Sequence, residues 1–128
     1  MDQRNCAPYK LVGSHFTFQD RYPKPFDVFQ PSFQTVHYTE PTPSKRDIFV
    51  NAYDNTLLYT DSVVDKIIGV LRQESEDSFL SFISDHGTAL YEDGKTIYVG
   101  NTQANYSIPL LFWFNAASRS RLGPNSTC

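Results

Sequence analysis

Residues 79–90, FLSFISDHGTAL, carry the clearest fold signal in the sequence. The largely apolar run 79–84 predicts a buried β-strand. The run ends abruptly in Asp85-His86-Gly87, where a carboxylate and an imidazole precede a glycine that allows a sharp turn of the backbone. In α/β proteins ligands gather at the carboxyl ends of strands, and Asp85 and His86 lie at such an end.

The sequence before this strand predicts one long amphipathic helix over residues 45–73. Ser44 follows Pro43 and is a plausible N-cap, and Asp47 lies in the first turn, where a carboxylate interacts favourably with the helix dipole. The apolar side chains at helical spacing are Ala52, Leu57, Val64, Ile67, Ile68 and Leu71.

The sequence on either side of these two elements completes an α/β pattern. Asp93-Gly94 predicts a turn, and residues 108–114, IPLLFWF, predict a second buried strand. The first third of the chain is rich in proline and aromatic residues, which disordered segments lack, so we expect it to wrap around the rest as ordered irregular structure.

Length and composition exclude several classes of protein. The chain of 128 residues fits one domain, and its net charge of −3 without a basic stripe argues against binding to nucleic acid. Its longest apolar run is far shorter than the ~20 residues that cross a bilayer, and the polar start MDQRN does not resemble a signal peptide. Cys6 and Cys128 cannot form a C-x-x-C motif.

Three residues are candidates for a metal or phosphate site. Asp85 and His86 offer the oxygen and nitrogen donors that Zn²⁺ accepts, although in such a tripeptide Asp85 more often caps a turn and His86 is more often solvated. His15 follows Gly13-Ser14 and could face a phosphate or a metal, or simply be exposed. We assign no function to His37.

The carboxylates of Asp54 and Asp61 are a further pair. They are seven residues apart and share one face of the predicted helix. Because a solvated or packed polar stripe is the commoner explanation of such a pair, we leave both residues out of the site.

Four segments in sequence order resemble the C-terminal half of the sulfatase-like catalytic domain of bacterial phosphoethanolamine transferases that modify lipid A or lipopolysaccharide core. They are GSHFTFQDRYPKPFDVFQP (13–31), NAYDNTLLYTDSVVDKII (51–68), FLSFISDHG (79–87) and IPLLFWF (108–114). The resemblance covers residues 11–114 and implies an incomplete alkaline-phosphatase-like three-layer sandwich. Residues 1–10 would lie outside the family, and residues 115–128 would form a C-terminal tail.

The resemblance also implies a chemistry. In that family a zinc ion activates a threonine that takes phosphoethanolamine from phosphatidylethanolamine and passes it to lipopolysaccharide. The catalytic domain is periplasmic and follows helices in the inner membrane. By this resemblance Asp85 and His86 are zinc ligands, and His15 is a phosphate or second-metal contact. A cation there would activate the nucleophile and offset charge on the phosphoryl oxygens.

The sequence departs from this family at several positions. The family's threonine and an acidic zinc ligand lie far before the Gly-Ser-His motif and have no counterpart here. Lys10, Thr88 and Val99 stand where the family often has histidine, glutamate and histidine. We therefore expect a weak, open zinc site, because zinc normally takes three or four protein ligands.

These departures lead to a functional hypothesis with two alternatives. We expect a truncated transferase-like protein, inactive alone, that stays cytoplasmic and self-associates through uncovered apolar sheet surface. Its partners by resemblance would be phosphatidylethanolamine and lipopolysaccharide. One alternative is a working half of a split transferase. The other is a non-catalytic module that binds the lipid headgroup.

Overall fold

The computed structural model describes residues 6–36 and 40–122. Residues 1–5, 37–39 and 123–128, among them His37 and Cys128, lie outside the described part. The helices are α1 (Arg46–Leu71), α2 (Gln103–Tyr106) and α3 (Ala116–Leu122). The strands are β1 (Phe79–Ile83), β2 (Ala89–Leu90), β3 (Ile97–Tyr98) and β4 (Leu110–Phe114). Within these residues no helix has both the length and the apolar character needed to span a bilayer.

Helix α1 confirms the predicted long helix, but its start differs in detail. The expectation that Ser44 caps the helix is wrong. Pro43–Lys45 forms a 3₁₀ turn that leads directly into α1, so Lys45 is the N-cap residue, and its side chain makes no capping hydrogen bond. The Ser44 hydroxyl instead lies 3.1 Å from the hydroxyl of Thr42.

The first third of the chain wraps around α1, as expected from its aromatic residues. The main cluster of buried apolar side chains consists of Phe18, Phe49, Ala52, Leu90 and Tyr91. It therefore joins the N-terminal segment, α1 and the β2 region in one apolar cluster. The core lies on the N-terminal half of α1, and Leu57, which the helical pattern assigned to the apolar face, is 43% exposed.

A buried amide fastens the N-terminal segment to α1. The side-chain oxygen of Asn55 accepts hydrogen bonds from the backbone N–H groups of Val28 (3.0 Å) and Phe29 (2.9 Å). Its nitrogen donates to Asp27 Oδ1 and to the carbonyl of Phe29, both at 3.1 Å. All the hydrogen-bonding groups of this side chain are thus satisfied within the protein, as burial requires.

The strands form two separate antiparallel pairs, β1 with β4 and β2 with β3. The positions of the two predicted strands are confirmed, but the expectation that they are buried is wrong. Phe79 and Ile83 are 64% and 61% exposed, and Phe112 is 51% exposed. In the described part of the chain nothing covers that face of the pair. Because β1 and β4 are antiparallel, Asp85 does not lie where the carboxyl ends of parallel strands meet. The sequence argument had assumed such an edge.

Candidate functional site

The Asp85-His86-Gly87 tripeptide forms a tight polar turn directly after β1. The Ser84 hydroxyl donates to the carbonyl oxygen of His86 at 2.8 Å. The backbone N–H of His86 donates to Asp85 Oδ1 at 3.1 Å, so this carboxylate does order the turn, as one of the two interpretations of the sequence stated. Asp85 is exposed and His86 is half-buried. Turn-forming and ligand roles are compatible, because a carboxylate oxygen has several lone pairs.

Gly87 is required by a close approach of two segments. A β-carbon at this position would lie 2.0 Å from the carbonyl oxygen of Ala104 and 2.6 Å from that of Ser107. The Gly87 N–H donates to the carbonyl of Asn105 at 2.9 Å. Lack of a side chain, rather than an unusual backbone angle, therefore explains the glycine. It lets the turn pack directly on α2 and its end.

In both described histidines Nδ1 hydrogen-bonds to a backbone carbonyl. Nδ1 of His86 lies 2.8 Å from the carbonyl oxygen of Gly87, and Nδ1 of His15 bonds to the carbonyl oxygen of Phe16. A carbonyl only accepts, so Nδ1 carries the proton in each ring. In a neutral imidazole this leaves the Nε2 lone pair as the acceptor. Among the described residues His86 Nε2 has no hydrogen-bond partner, which is the arrangement found in metal-binding histidines, whereas His15 Nε2 faces the hydroxyl of Tyr98.

Tyr98, which the sequence analysis did not single out, lies between the two histidines. Its hydroxyl is 2.7 Å from Nε2 of His15. Its ring makes edge-on contacts with both imidazoles, with centroid separations of 5.2 Å to His15 and 5.8 Å to His86. Two residues separated by 71 positions in sequence thus share one aromatic neighbour, which places His15 on the same side of the fold as the Asp85-His86 turn.

The backbone of Tyr98 is in an unusual conformation. Its φ of 68° lies in the left-handed region, which costs a bulky non-glycine residue on the order of 1–3 kcal/mol. Asn105 helps to hold it there, because its side-chain nitrogen donates to the Tyr98 carbonyl at 2.7 Å and to the Gly87 carbonyl at 3.3 Å. Asn105 is only 7% exposed, so a buried side chain links the turn at Gly87 to the backbone of Tyr98.

Asn105 also belongs to a capping box that the sequence does hint at. Thr102 is the N-cap of the short helix α2, and its hydroxyl donates to Asn105 Oδ1 at 2.9 Å. The Thr-x-x-Asn spacing is therefore a sequence signal for the helix start. No comparable signal marks the contacts of Asn105 with Gly87 and Tyr98, because they depend on tertiary packing.

Thr88 contacts Tyr53 of helix α1, the helix that also carries Asp54. Burial raises the pKa of Tyr53, and the side chain of Thr88 hydrogen-bonded to it acts in the opposite direction. Burial likewise raises the pKa of Asp54, which the sequence analysis left out of the site. Thr88, at the family's glutamate position, therefore has α1 as its neighbour.

The donor types fit zinc, but the donor number does not complete a site. A carboxylate oxygen of Asp85 and Nε2 of His86 are suitable ligands, and the hydrogen bond at His86 Nδ1 fixes the required tautomer. Within residues 6–36 and 40–122 no group of three or more His, Cys, Asp or Glu side chains could hold a metal ion. The ligand roles of Asp85, His86 and His15 remain predictions.

The fold and the order of these residues are matched by a known family. Residues 7–126 match the family model described as Sulfatase. The chain belongs to this sulfatase family. It is 34% identical over 125 residues to the phosphoethanolamine transferase EptA of Escherichia coli K12, covering 91% of this chain and 22% of that protein. EptA of Helicobacter pylori is 30% identical over 110 residues and covers 82% of this chain and 20% of that protein.

Solved structures support the same assignment within the sulfatase family. The soluble domain of lipooligosaccharide phosphoethanolamine transferase A from Neisseria meningitidis superimposes with a TM-score of 0.72 at 32% identity, over 85% of this chain and 34% of that domain. The integral membrane protein EptA from the same organism gives a TM-score of 0.74 at 33% identity, over 88% of this chain and 22% of that protein.

The chain therefore corresponds to part of a phosphoethanolamine transferase catalytic domain, and the predicted partial alkaline-phosphatase-like fold is confirmed. It spans about a fifth of the length of the curated relatives that it matches.

Proposed function

We propose that this chain forms one edge of the catalytic domain of a phosphoethanolamine transferase, and that Asp85 and His86 hold its zinc ion. The observation that supports this best is the hydrogen bond from His86 Nδ1 to the Gly87 carbonyl, which leaves Nε2 as the ring nitrogen with a lone pair for a metal. His15, which contacts Tyr98, is the predicted phosphate or second-metal contact, and in that role its Nε2 would exchange the Tyr98 hydroxyl for the ligand. A bound zinc ion would supply Lewis-acid activation of a nucleophile and of the phosphoryl group.

The substrates are inferred from relatives rather than from a bound ligand. Matched proteins are named as phosphoethanolamine transferases, one of them acting on Kdo(2)-lipid A and another on lipooligosaccharide. We infer phosphatidylethanolamine as the donor and a lipopolysaccharide as the acceptor. Because a solved relative is an integral membrane protein, we also infer that this domain functions at the periplasmic side of the inner membrane as part of such an enzyme.

The hydroxyls of Thr88, Thr96 and Thr102 are engaged in hydrogen bonds that stabilise local structure. Thr96 donates to Asp93 Oδ2 at 2.7 Å, and Thr102 donates to Asn105 Oδ1 at 2.9 Å. Thr88 is hydrogen-bonded to Tyr53. We therefore propose that the 128-residue chain binds zinc weakly and does not transfer phosphoethanolamine unaided, since loss of a nucleophile slows such reactions by orders of magnitude.

Zinc titration of the full chain against a chromophoric chelator tests the metal site. We expect D85N and H86Q each to weaken zinc binding by about tenfold or more, because each removes a ligand. H37Q is the matched control, since sequence analysis assigns no function to that third histidine. Equal zinc affinity in wild type, D85N and H86Q would show that these residues are not the ligands.

Transfer is tested separately with a labelled phosphatidylethanolamine analogue. We expect no covalent phosphoethanolamine adduct on the chain, with or without zinc. An adduct that disappears in D85A would show that the chain is itself a catalyst. Binding of free phosphoethanolamine that does not depend on metal would instead favour the non-catalytic headgroup-binding module.

A further inference from the structure

The two histidines of the proposed site have no described contact with each other, but both contact Tyr98. His15 belongs to the N-terminal segment, whereas His86 follows β1, so their mutual placement needs a tertiary link. The Tyr98 hydroxyl, 2.7 Å from Nε2 of His15, is the described side-chain hydrogen bond that joins these two regions. The Tyr98 ring also meets the His86 imidazole edge-on, with the ring centroids 5.8 Å apart.

Tyr98 is itself firmly placed. Its carbonyl accepts the 2.7 Å hydrogen bond from the buried Asn105 side chain, and the same amide nitrogen reaches the carbonyl of Gly87. The loop after Tyr98 is also tightly packed, since a β-carbon on Gly100 would lie 2.5 Å from Cγ2 of Thr96. The left-handed φ of Tyr98 is thus stabilised by surrounding structure and directs the ring between the imidazoles.

We propose that Tyr98 is a positioning residue for both histidines: its hydroxyl holds His15, and its ring restrains His86 next to Asp85. This inference rests on the proposed function, because it explains how the zinc ligand and the nearby phosphate or metal contact are brought together. The two parts of the side chain have separable tasks. Loss of the hydroxyl releases His15 alone, whereas loss of the ring releases both imidazoles.

Two substitutions of Tyr98 separate these tasks. Y98F keeps the ring, so zinc affinity should stay within about twofold of wild type. Y98A removes the ring and should weaken zinc binding by about tenfold, the size of effect typical of a residue that orients a metal ligand. Y106F is the matched control, because the hydroxyl of exposed Tyr106 donates to Asn101 Oδ1 at 2.6 Å and contacts neither histidine.

Imidazole ¹⁵N NMR of the metal-free chain, at a pH where histidines are neutral, reports the hydrogen bonding of each ring nitrogen separately from the overall stability of the fold. In Y98F the Nε2 signal of His15 should shift towards that of an unbonded nitrogen, while the Nε2 signal of His86 stays in place. In Y106F neither signal should move. Thermal unfolding of each variant shows whether it is folded, and Y98F keeps the test decisive if Y98A is not.

The outcomes distinguish the two proposals. If H86Q weakens zinc binding but Y98A does not, Tyr98 has no positioning role and the proposed zinc site stands. An unchanged His15 signal in Y98F would likewise overturn the inference. If H86Q leaves zinc affinity unchanged, the proposed zinc site fails, whereas the NMR shift in Y98F would still establish the link between Tyr98 and His15.

Discussion

Asn105 connects the segments of the site with a single side chain. Its nitrogen donates to two backbone carbonyls, those of Gly87 and Tyr98, and its oxygen accepts from Thr102. A buried carbonyl that loses its donor retains its desolvation cost, so deletion of such an amide is more harmful than deletion of an exposed one.

We therefore predict that N105A lowers the free energy of unfolding by about 1–3 kcal/mol, the cost of leaving buried polar groups unpaired. The variant should also broaden the NMR signals of the Tyr98 loop. N101A is the control, because Asn101 is exposed and should change stability by only about 0.5 kcal/mol or less. Urea unfolding of both variants provides the measurement, and equal midpoints would contradict the role of Asn105.

Asp93 makes the chain sensitive to acid at the turn before β3. Hydrogen bonds from the Thr96 hydroxyl, and from the backbone N–H groups of Thr96 and Lys95, lower its pKa to about 2. A carboxyl with a depressed pKa stabilises the folded state above its unfolded pKa, near 3.8, and loses that contribution as pH falls to about 2.

The expected result is a fall in melting temperature between about pH 4 and pH 2 that is smaller in D93N than in wild type. The matched variant is D20N, measured over the same pH range, since Asp20 Oδ2 accepts one side-chain hydrogen bond, from Thr17. Identical pH profiles for wild type and D93N would rule out this contribution.

Helix α1 and the N-terminal segment form the next level of organisation. Because Asn55 makes hydrogen bonds to three residues of that segment, it acts as the fastening point between the two elements. We predict that N55A lowers the free energy of unfolding by about 2 kcal/mol or more, by leaving buried donors and acceptors unpaired.

Limited proteolysis locates this effect. In N55A, cleavage should accelerate within residues 20–30 before α1 is attacked, because the segment detaches while the helix remains. N51A is the matched control: Asn51 lies on the same helix and donates one exposed hydrogen bond to the carbonyl of Pro31. Uniform cleavage along the whole chain of N55A would contradict a local fastening role.

The sequence predicts elements that have their own periodicity and misses those that depend on neighbours. Helix α1 is long enough for its apolar repeat to be recognised, β1 is a largely apolar run and β4 is an uninterrupted one. Strands β2 and β3 have two residues each, too few for any pattern. Burial of β1 could not be predicted, because it depends on which layers cover the strand rather than on its composition.

The sequence likewise points to some residues of the candidate site and not to others. Asp85 and His86 follow a strand and stand out by residue type, whereas the association of His15 with that turn requires a contact 83 residues away, through Tyr98. No recognisable sequence pattern predicts a tyrosine whose backbone is in the left-handed region. Resemblance to a family pointed to His15, and the structure adds the physical link.

At the scale of the whole molecule, one face of the β1–β4 pair is an uncovered apolar surface. The strand register places Phe79 opposite Phe114, Ser81 opposite Phe112 and Ile83 opposite Leu110, so these side chains share that face. In the solved soluble domain from Neisseria meningitidis the matched region is about a third of the chain. Exposed patches of this kind promote association.

We predict that the chain by itself self-associates at micromolar concentrations, and that I83T/F112T shifts it towards monomer. Threonine removes apolar surface and remains compatible with a β-strand. L80T is the control, since Leu80 points to the opposite, less exposed face. Sedimentation velocity over a concentration series provides the measurement. A monodisperse wild-type monomer with one sharp thermal transition would show that the face does not drive association.

The close packing of Gly87 has a consequence for reading motifs in other chains. Its missing side chain is demanded by the carbonyls of Ala104 and Ser107, and neither atom takes part in the proposed chemistry. A descendant that had lost catalysis, but still needed to fold, would face the same steric constraint and keep the glycine. Retention of the glycine in an Asp-His-Gly motif therefore indicates that the fold is kept, and only the aspartate and the histidine can indicate activity.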